Sequence, residues 1–206
     1  MDAQLSLAIS TCVDQVLSSD DNDLQMENLA KLIRELCQWN YPVDNKPNLW
    51  HKRYNYVNYL SVKKLLPIWY DYYPNDTSPE KLLTVSLDCL SRSLDDLEDL
   101  IQEHDERYND LYVGDNVVNW IYYDSLETVR IASAILNCPK EVQPMIYDTD
   151  INNSEIEFED WLIPYCASVT FAGGPTWNQG VQTRRKQFWE WWLDYVPEET
   201  CRQIIS

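Results

Sequence analysis

Glycine is scarce in this chain, with four residues among 206 against ten prolines. So few glycines argue against a loop-rich β-sandwich and against an enzyme that cradles phosphate on glycine-rich backbone. Histidine is scarcer, limited to His51 and His104. The six cysteines, Cys12, Cys37, Cys89, Cys138, Cys166 and Cys201, contain no C-x-x-C pair, so a zinc site lacks its usual ligand spacing. There is no P-loop, no G-x-G-x-x-G and no E-x-x-H pair of the kind that builds a di-iron bundle site. Positive charge is also in deficit: 16 Lys and Arg face 34 Asp and Glu, a formal net charge of −18. That imbalance excludes unaided binding to nucleic acid or to an anionic membrane. No apolar run approaches the roughly 18 residues that a membrane span needs. The opening MDAQLSLAISTCVDQ lacks a basic region and spaces its apolar residues, so it does not read as a secretory signal. Reduced thiols on apolar helix faces fit a reducing cytoplasm.

What is present in quantity is apolar and aromatic. Hydrophobic residues make up 45% and aromatics 13%, with nine Trp and fourteen Tyr, which rules out a disordered acidic tail. The length suits one domain, residues 1–206. Apolar spacing is helical almost throughout. Leu5, Ile9, Cys12, Val13, Val16 and Leu17 form one stripe. Leu24 to Cys37 carry a second, with Asn22 or Asp23 placed to cap it. A third helix begins near Leu49, and Pro67 should kink or end it. Ser78-Pro79-Glu80 is a start signal, with Ser as N-cap and Pro at the first helical position. From Leu83 through Leu87, Leu90, Leu94, Leu97, Ile101 and His104 to Tyr108, steps of four and three trace a heptad seam. Further helices are expected at about 116–137, 158–171 and 183–195, with a short last turn opening at Pro197. The prediction is an all-α, irregular multi-helix bundle of seven to eight helices. HEAT-type helix pairing stays open.

The negative charge is concentrated: residues 88–160 carry −15 of the −18, whereas 30–64 carry +5. On the helix that follows Ser78, Asp95, Asp96, Asp99, Glu103 and Glu106 lie opposite the heptad seam. Asp95, Asp99 and Glu103 form an i, i+4 ladder whose like-charged neighbours each cost about a few tenths of a kcal/mol. Such a face either keeps the protein in solution or steers a basic partner toward it. The basic segment interleaves Lys46, Lys52, Arg53, Lys63 and Lys64 with Trp50, Tyr54, Tyr56 and Tyr59. The rest of the chain repels a phosphate backbone, so an internal salt-bridging surface or a second protein contact suits this segment better.

Asp148, Asp150, Asn152, Ser154 and Glu159 match the oxygen-ligand offsets of an EF-hand calcium loop. Asn153 stands where glycine is expected, Ile156 where a polar residue belongs, and Pro144 interrupts the entering helix. The stretch therefore reads as a plain acidic loop, and no metal or cofactor is expected. For nucleophilic chemistry, His104 sits in the seam as a core imidazole, and no Ser or Cys is tied to His51 by a recognisable spacing. No catalytic residue is nominated.

The most specific text lies near the C-terminus. It runs from Trp161-Leu162 and Cys166-Ala167-Ser168 to Gly173-Gly174-Pro175-Thr176-Trp177. It continues through Arg184-Arg185-Lys186-Gln187-Phe188-Trp189-Glu190-Trp191-Trp192-Leu193 to Val196-Pro197. This pattern resembles the immunity proteins of bacterial polymorphic toxin systems, specifically their fifth named class, over roughly residues 158–198. The resemblance implies a helical protein that binds and neutralises a cognate toxin and is not an enzyme. Pro164 departs from the continuous helix the resemblance would place there.

Read physically, the motif is structural first. Arg185, Phe188, Trp192 and Tyr195 share one helical face, and the indoles near Trp189 are too large to leave in water. Trp161, Gly173, Gly174, Arg184, Arg185, Phe188, Trp189 and Trp192 are therefore assigned to the core and its anchoring. Arg184 and Arg185 are free to pair with carboxylates or to stack on rings. Contact with a basic toxin is assigned to Asp95, Asp96, Asp99, Glu103, Glu106, Asp150 and Glu157. The alternatives are an acidic helical adaptor or a DNA-mimic inhibitor, and after these a calcium-binding protein or a hydrolase.

Overall fold

A computed structural model describes residues 3–20, 22–38, 49–88, 94–111, 116–139, 142, 162–174 and 181–202, the side chains of Leu94, Asp95, Asp110 and Leu111 excepted. Among these residues every regular element is an α-helix. In chain order they are α1 (Ala3–Ser18), α2 (Met26–Cys37), α3 (Leu49–Lys63), α4 (Leu66–Tyr72) and α5 (Ser78–Asp88). They continue as α6 (Leu94–Leu111), α7 (Asn119–Asn137), α8 (Ile163–Ala172) and α9 (Gln182–Arg202). The all-α, multi-helix class expected from the periodicity is what is seen.

Proline and glycine set several boundaries. α3 closes at Lys63, and α4 opens with Pro67 in its first turn, where a missing N–H leaves nothing unpaired. Pro164 plays the same part in α8, which begins at Ile163. Gly173, at φ 90°, ends α8, and the Gly174 N–H reaches back 3.0 Å to the Val169 carbonyl. This is a Schellman-type closure that a side chain at Gly173 would strain. Three local expectations are corrected. Asp76, not Ser78, caps α5: its Oδ1 accepts the Ser78 N–H at 2.9 Å, while the Ser78 hydroxyl accepts from Arg107. Gln25 stands at the N-cap of α2 with no side-chain bond, and Asp23 is used elsewhere. α9 continues through Pro197 to Arg202. Val196, Pro197 and Thr200 are buried there, so packing outweighs the one lost hydrogen bond. The residues of the expected heptad seam fall on α5 and α6, with 89–93 outside the described residues.

Two compact units are formed by residues 1–41 with 143–206, and by residues 42–142. In the first, α1 packs on α2 and α9, and α8 packs on α9. α8 is apolar or small all round, and nine of its ten residues are buried, the mark of a helix enclosed on every side. In the second unit, α3, α5 and α6 all pack on α7. His51, stacked on Trp50, meets the Pro139 carbonyl at 2.9 Å, which ties the start of α3 to the residues just beyond α7. Cys12, Cys37 and Cys166 are buried.

Asp124, in the middle of α7, is fully buried, and neither carboxyl oxygen has a partner among the described residues. Burial pushes its pKa well above the ordinary value of 3.8, and Glu127 adds to the effect. The folded chain holds this proton, whereas the unfolded chain releases it above the ordinary value. Stability therefore falls as pH rises beyond that value, by about 1.4 kcal/mol for each pH unit up to the raised pKa. Asp124→Asn removes this slope. Its thermal midpoint should gain on the parent protein by roughly 3–6 °C per pH unit in melting curves taken at increasing pH. A constant difference between the two proteins would contradict a protonated Asp124.

Candidate functional site

The acidic face of α6 is the first candidate. Leu97 is buried, Ile101, His104 and Tyr108 are half-buried, and this side packs on α7. The His104 Nδ1 shares a hydrogen bond with the Tyr122 hydroxyl. Burial holds both His104 and His51 below the ordinary imidazole pKa, so each is occupied as a neutral packing residue. The opposite side of α6 presents Asp96, Glu98, Asp99, Glu103 and Glu106 to solvent. Acidic residues at 95 and 96 in the first turn suit the positive end of the helix dipole.

Nearby cations are drawn to other carboxylates. Arg130 of α7 pairs with Asp105 and Glu127. Arg107 pairs with Asp76 at 2.6 Å, donates to the Ser78 hydroxyl at 2.7 Å and lies over the Tyr122 ring. Asp99, Glu103 and Glu106 are left without an ion pair among the described residues. The backbone of Asp95 lies in the first turn of the same helix. Asp150 and Glu157, like the whole 148–159 stretch, lie outside the described residues. So does the Lys46 of the basic segment, in which Lys52 and Lys63 are exposed and Arg53 is buried.

The second candidate is the C-terminal motif, which the structure resolves into a core anchor. On α9, Arg185, Phe188, Trp189, Trp192 and Val196 are all fully enclosed, following the i, i+3, i+4, i+7 stripe of a helix with one buried face. Tyr195, expected on that face, is 43% exposed and stacks on Trp191 instead, and Trp189 takes the inward place. The Trp189 ring meets Phe188 edge-on at 5.2 Å and Trp192 at 6.1 Å. Arg184 stays at the surface over the Phe171 ring. Trp161 lies outside the described residues.

Arg185 is a fully buried guanidinium, and its partner is Asp23, 4% exposed. The Asp23 carboxylate accepts four donors. Its Oδ1 takes the Leu24 N–H and the Trp189 indole N–H, each at 2.9 Å. Its Oδ2 takes the Tyr165 hydroxyl at 2.9 Å and the Arg185 guanidinium. The Arg185 guanidinium also lies 4.7 Å over the Tyr165 ring; burial raises the Tyr165 hydroxyl pKa, with Asp23 adding to the rise and Arg185 opposing it. One carboxylate thus joins the α1–α2 connection, α8 and α9, with its acceptor capacity filled. The sequence pattern offered Asp23 only as a helix cap and did not pick out Tyr165. The available signal was a lone arginine on an aromatic face, which demands a buried carboxylate without saying which one. Asp23, Tyr165, Arg185 and Trp189 are all buried, so this cluster acts on structure.

A family model described as immunity protein Imm5 matches residues 9–198, and the chain belongs to that family. No curated protein matches the chain.

Proposed function

We propose that this member of the Imm5 family binds a cognate toxin in the cytoplasm and neutralises it by covering a basic functional surface. The reading rests on the family and on one observation above all. α6 offers an exposed row of carboxylates at Asp96, Asp99, Glu103 and Glu106, while Arg107 and Arg130 are held by Asp76, Asp105 and Glu127. A toxin that acts on nucleic acid must carry a cationic cleft, and such a cleft is attracted by the same field that repels phosphate. Asp95, and the acidic stretch containing Asp150 and Glu157, extend the proposed surface. The chain works by occupancy and not by catalysis, since both histidines are committed to packing. The proposal places residues 1–206 as one functional unit and assigns no role to nucleic acid, membrane, metal or cofactor.

The reading expects a toxin domain to be encoded beside this chain, and titration of that domain tests it. Toxin activity should vanish at one molar equivalent of the purified chain, with the complex co-eluting on size exclusion. Full toxin activity in excess chain would refute it.

A further inference from the structure

We infer that the groove between α1 and α9 is a docking site for a cationic, aliphatic segment of a partner protein. The groove has a volume of about 350 Å³, large enough for more than one aliphatic side chain. Val16 and Leu193 form a buried floor, Ile9 and Val13 are half-buried along it, and Leu17 stands 57% exposed at its edge. An exposed leucine beside an apolar channel is an unfilled contact. The rim on α9 is anionic: Glu190 and Asp194 are both exposed, one turn apart. Lys186 approaches Glu190 at 3.9 Å, and Asp194 forms no ion pair among the described residues. The last turn of α1, which carries Leu17, has no basic residue, so its carbonyl end adds partial negative charge at the same place.

Apolar floor and anionic rim together select the occupant. An anionic lipid or a nucleic acid is repelled by the rim, and a plain hydrocarbon leaves the carboxylates unmatched. A peptide segment that pairs Leu, Ile or Val with Arg or Lys satisfies both parts. The aliphatic side chain enters the groove, the stem of the basic residue lies along Leu17, and its cationic head meets Asp194. The inference depends on the immunity reading only in naming the toxin as the source of that segment.

The test is a methyl-resolved NMR titration of the full chain with a capped arginine-leucine-leucine-arginine tetrapeptide, with the glutamate-flanked analogue as control. Saturable shifts are expected at Ile9, Val13, Leu17 and Leu193 with the basic peptide only. Glu190→Lys with Asp194→Lys should weaken binding by about tenfold or more, and Leu17→Asp, a surface change, should abolish it. No saturable shift, equal binding of the acidic peptide, or unchanged affinity in the charge-reversed protein would each overturn the groove. A chain that neutralises toxin but ignores the peptide loses the groove alone. One that binds the peptide but fails to neutralise loses only the immunity reading.

Discussion

Asp23→Ala lowers the stability of the native chain by about 3–5 kcal/mol, the range for breaking a buried ion pair from one side. The deletion strands the Arg185 guanidinium, which is fully buried and has no partner for Nε and Nη1 among the described residues. It also removes the acceptor of the Tyr165 hydroxyl and of the Trp189 indole N–H. An unpaired buried cation costs far more than the pair's net worth, because its desolvation is no longer offset. Tyr165→Phe removes one donor and leaves the ion pair in place, so it should cost only about 1–2 kcal/mol. Denaturant unfolding followed by tryptophan fluorescence reads both, because Trp189 and Trp192 lie in the same cluster. Equal, small losses in the two variants would show that the carboxylate is not the joint between the α1–α2 connection, α8 and α9.

Reversing Asp99, Glu103 and Glu106 to lysine slows association with the toxin by about a hundredfold at low ionic strength. All three side chains are exposed on α6, so the change alters the field and leaves the packing against α7 intact. Stability should move by no more than about 0.5 kcal/mol. The effect on rate should shrink as salt approaches about 0.2 M, where the screening length falls below roughly 10 Å. Stopped-flow association across a salt series checks this directly. A faster dissociation limb with an unchanged association limb would assign these carboxylates to short-range contact instead of steering.

Local periodicity made most of the helices legible, and the glycine at 173 and prolines at 67 and 164 marked real boundaries. The acidic face of α6 was legible for the same reason, since a 3.6-residue repeat separates Leu97 and Ile101 from Asp99 and Glu103 without knowledge of the partner helix. Long-range pairing was not legible. Asp23 and Arg185 lie 162 positions apart, and an aspartate just ahead of a helix has the look of a cap until the partner is seen. Charge counting misread Asp124 in a similar way. It contributes to the −15 of residues 88–160, yet it is fully buried and burial raises its pKa, so it is no part of the exposed acidic face. Asp105 is likewise spent on Arg130. Pro197 misled because its missing donor is a local signal, whereas the burial of Val196 and Thr200 that keeps α9 on course is a tertiary one.

Growth of cells expressing the toxin domain that the proposal expects beside this chain is the most direct measurement of the central claim. Co-expression of the parent chain should restore growth. The folded Asp99→Lys, Glu103→Lys, Glu106→Lys variant at equal abundance should fail to do so. Equal rescue by both proteins would contradict neutralisation through the acidic face of α6.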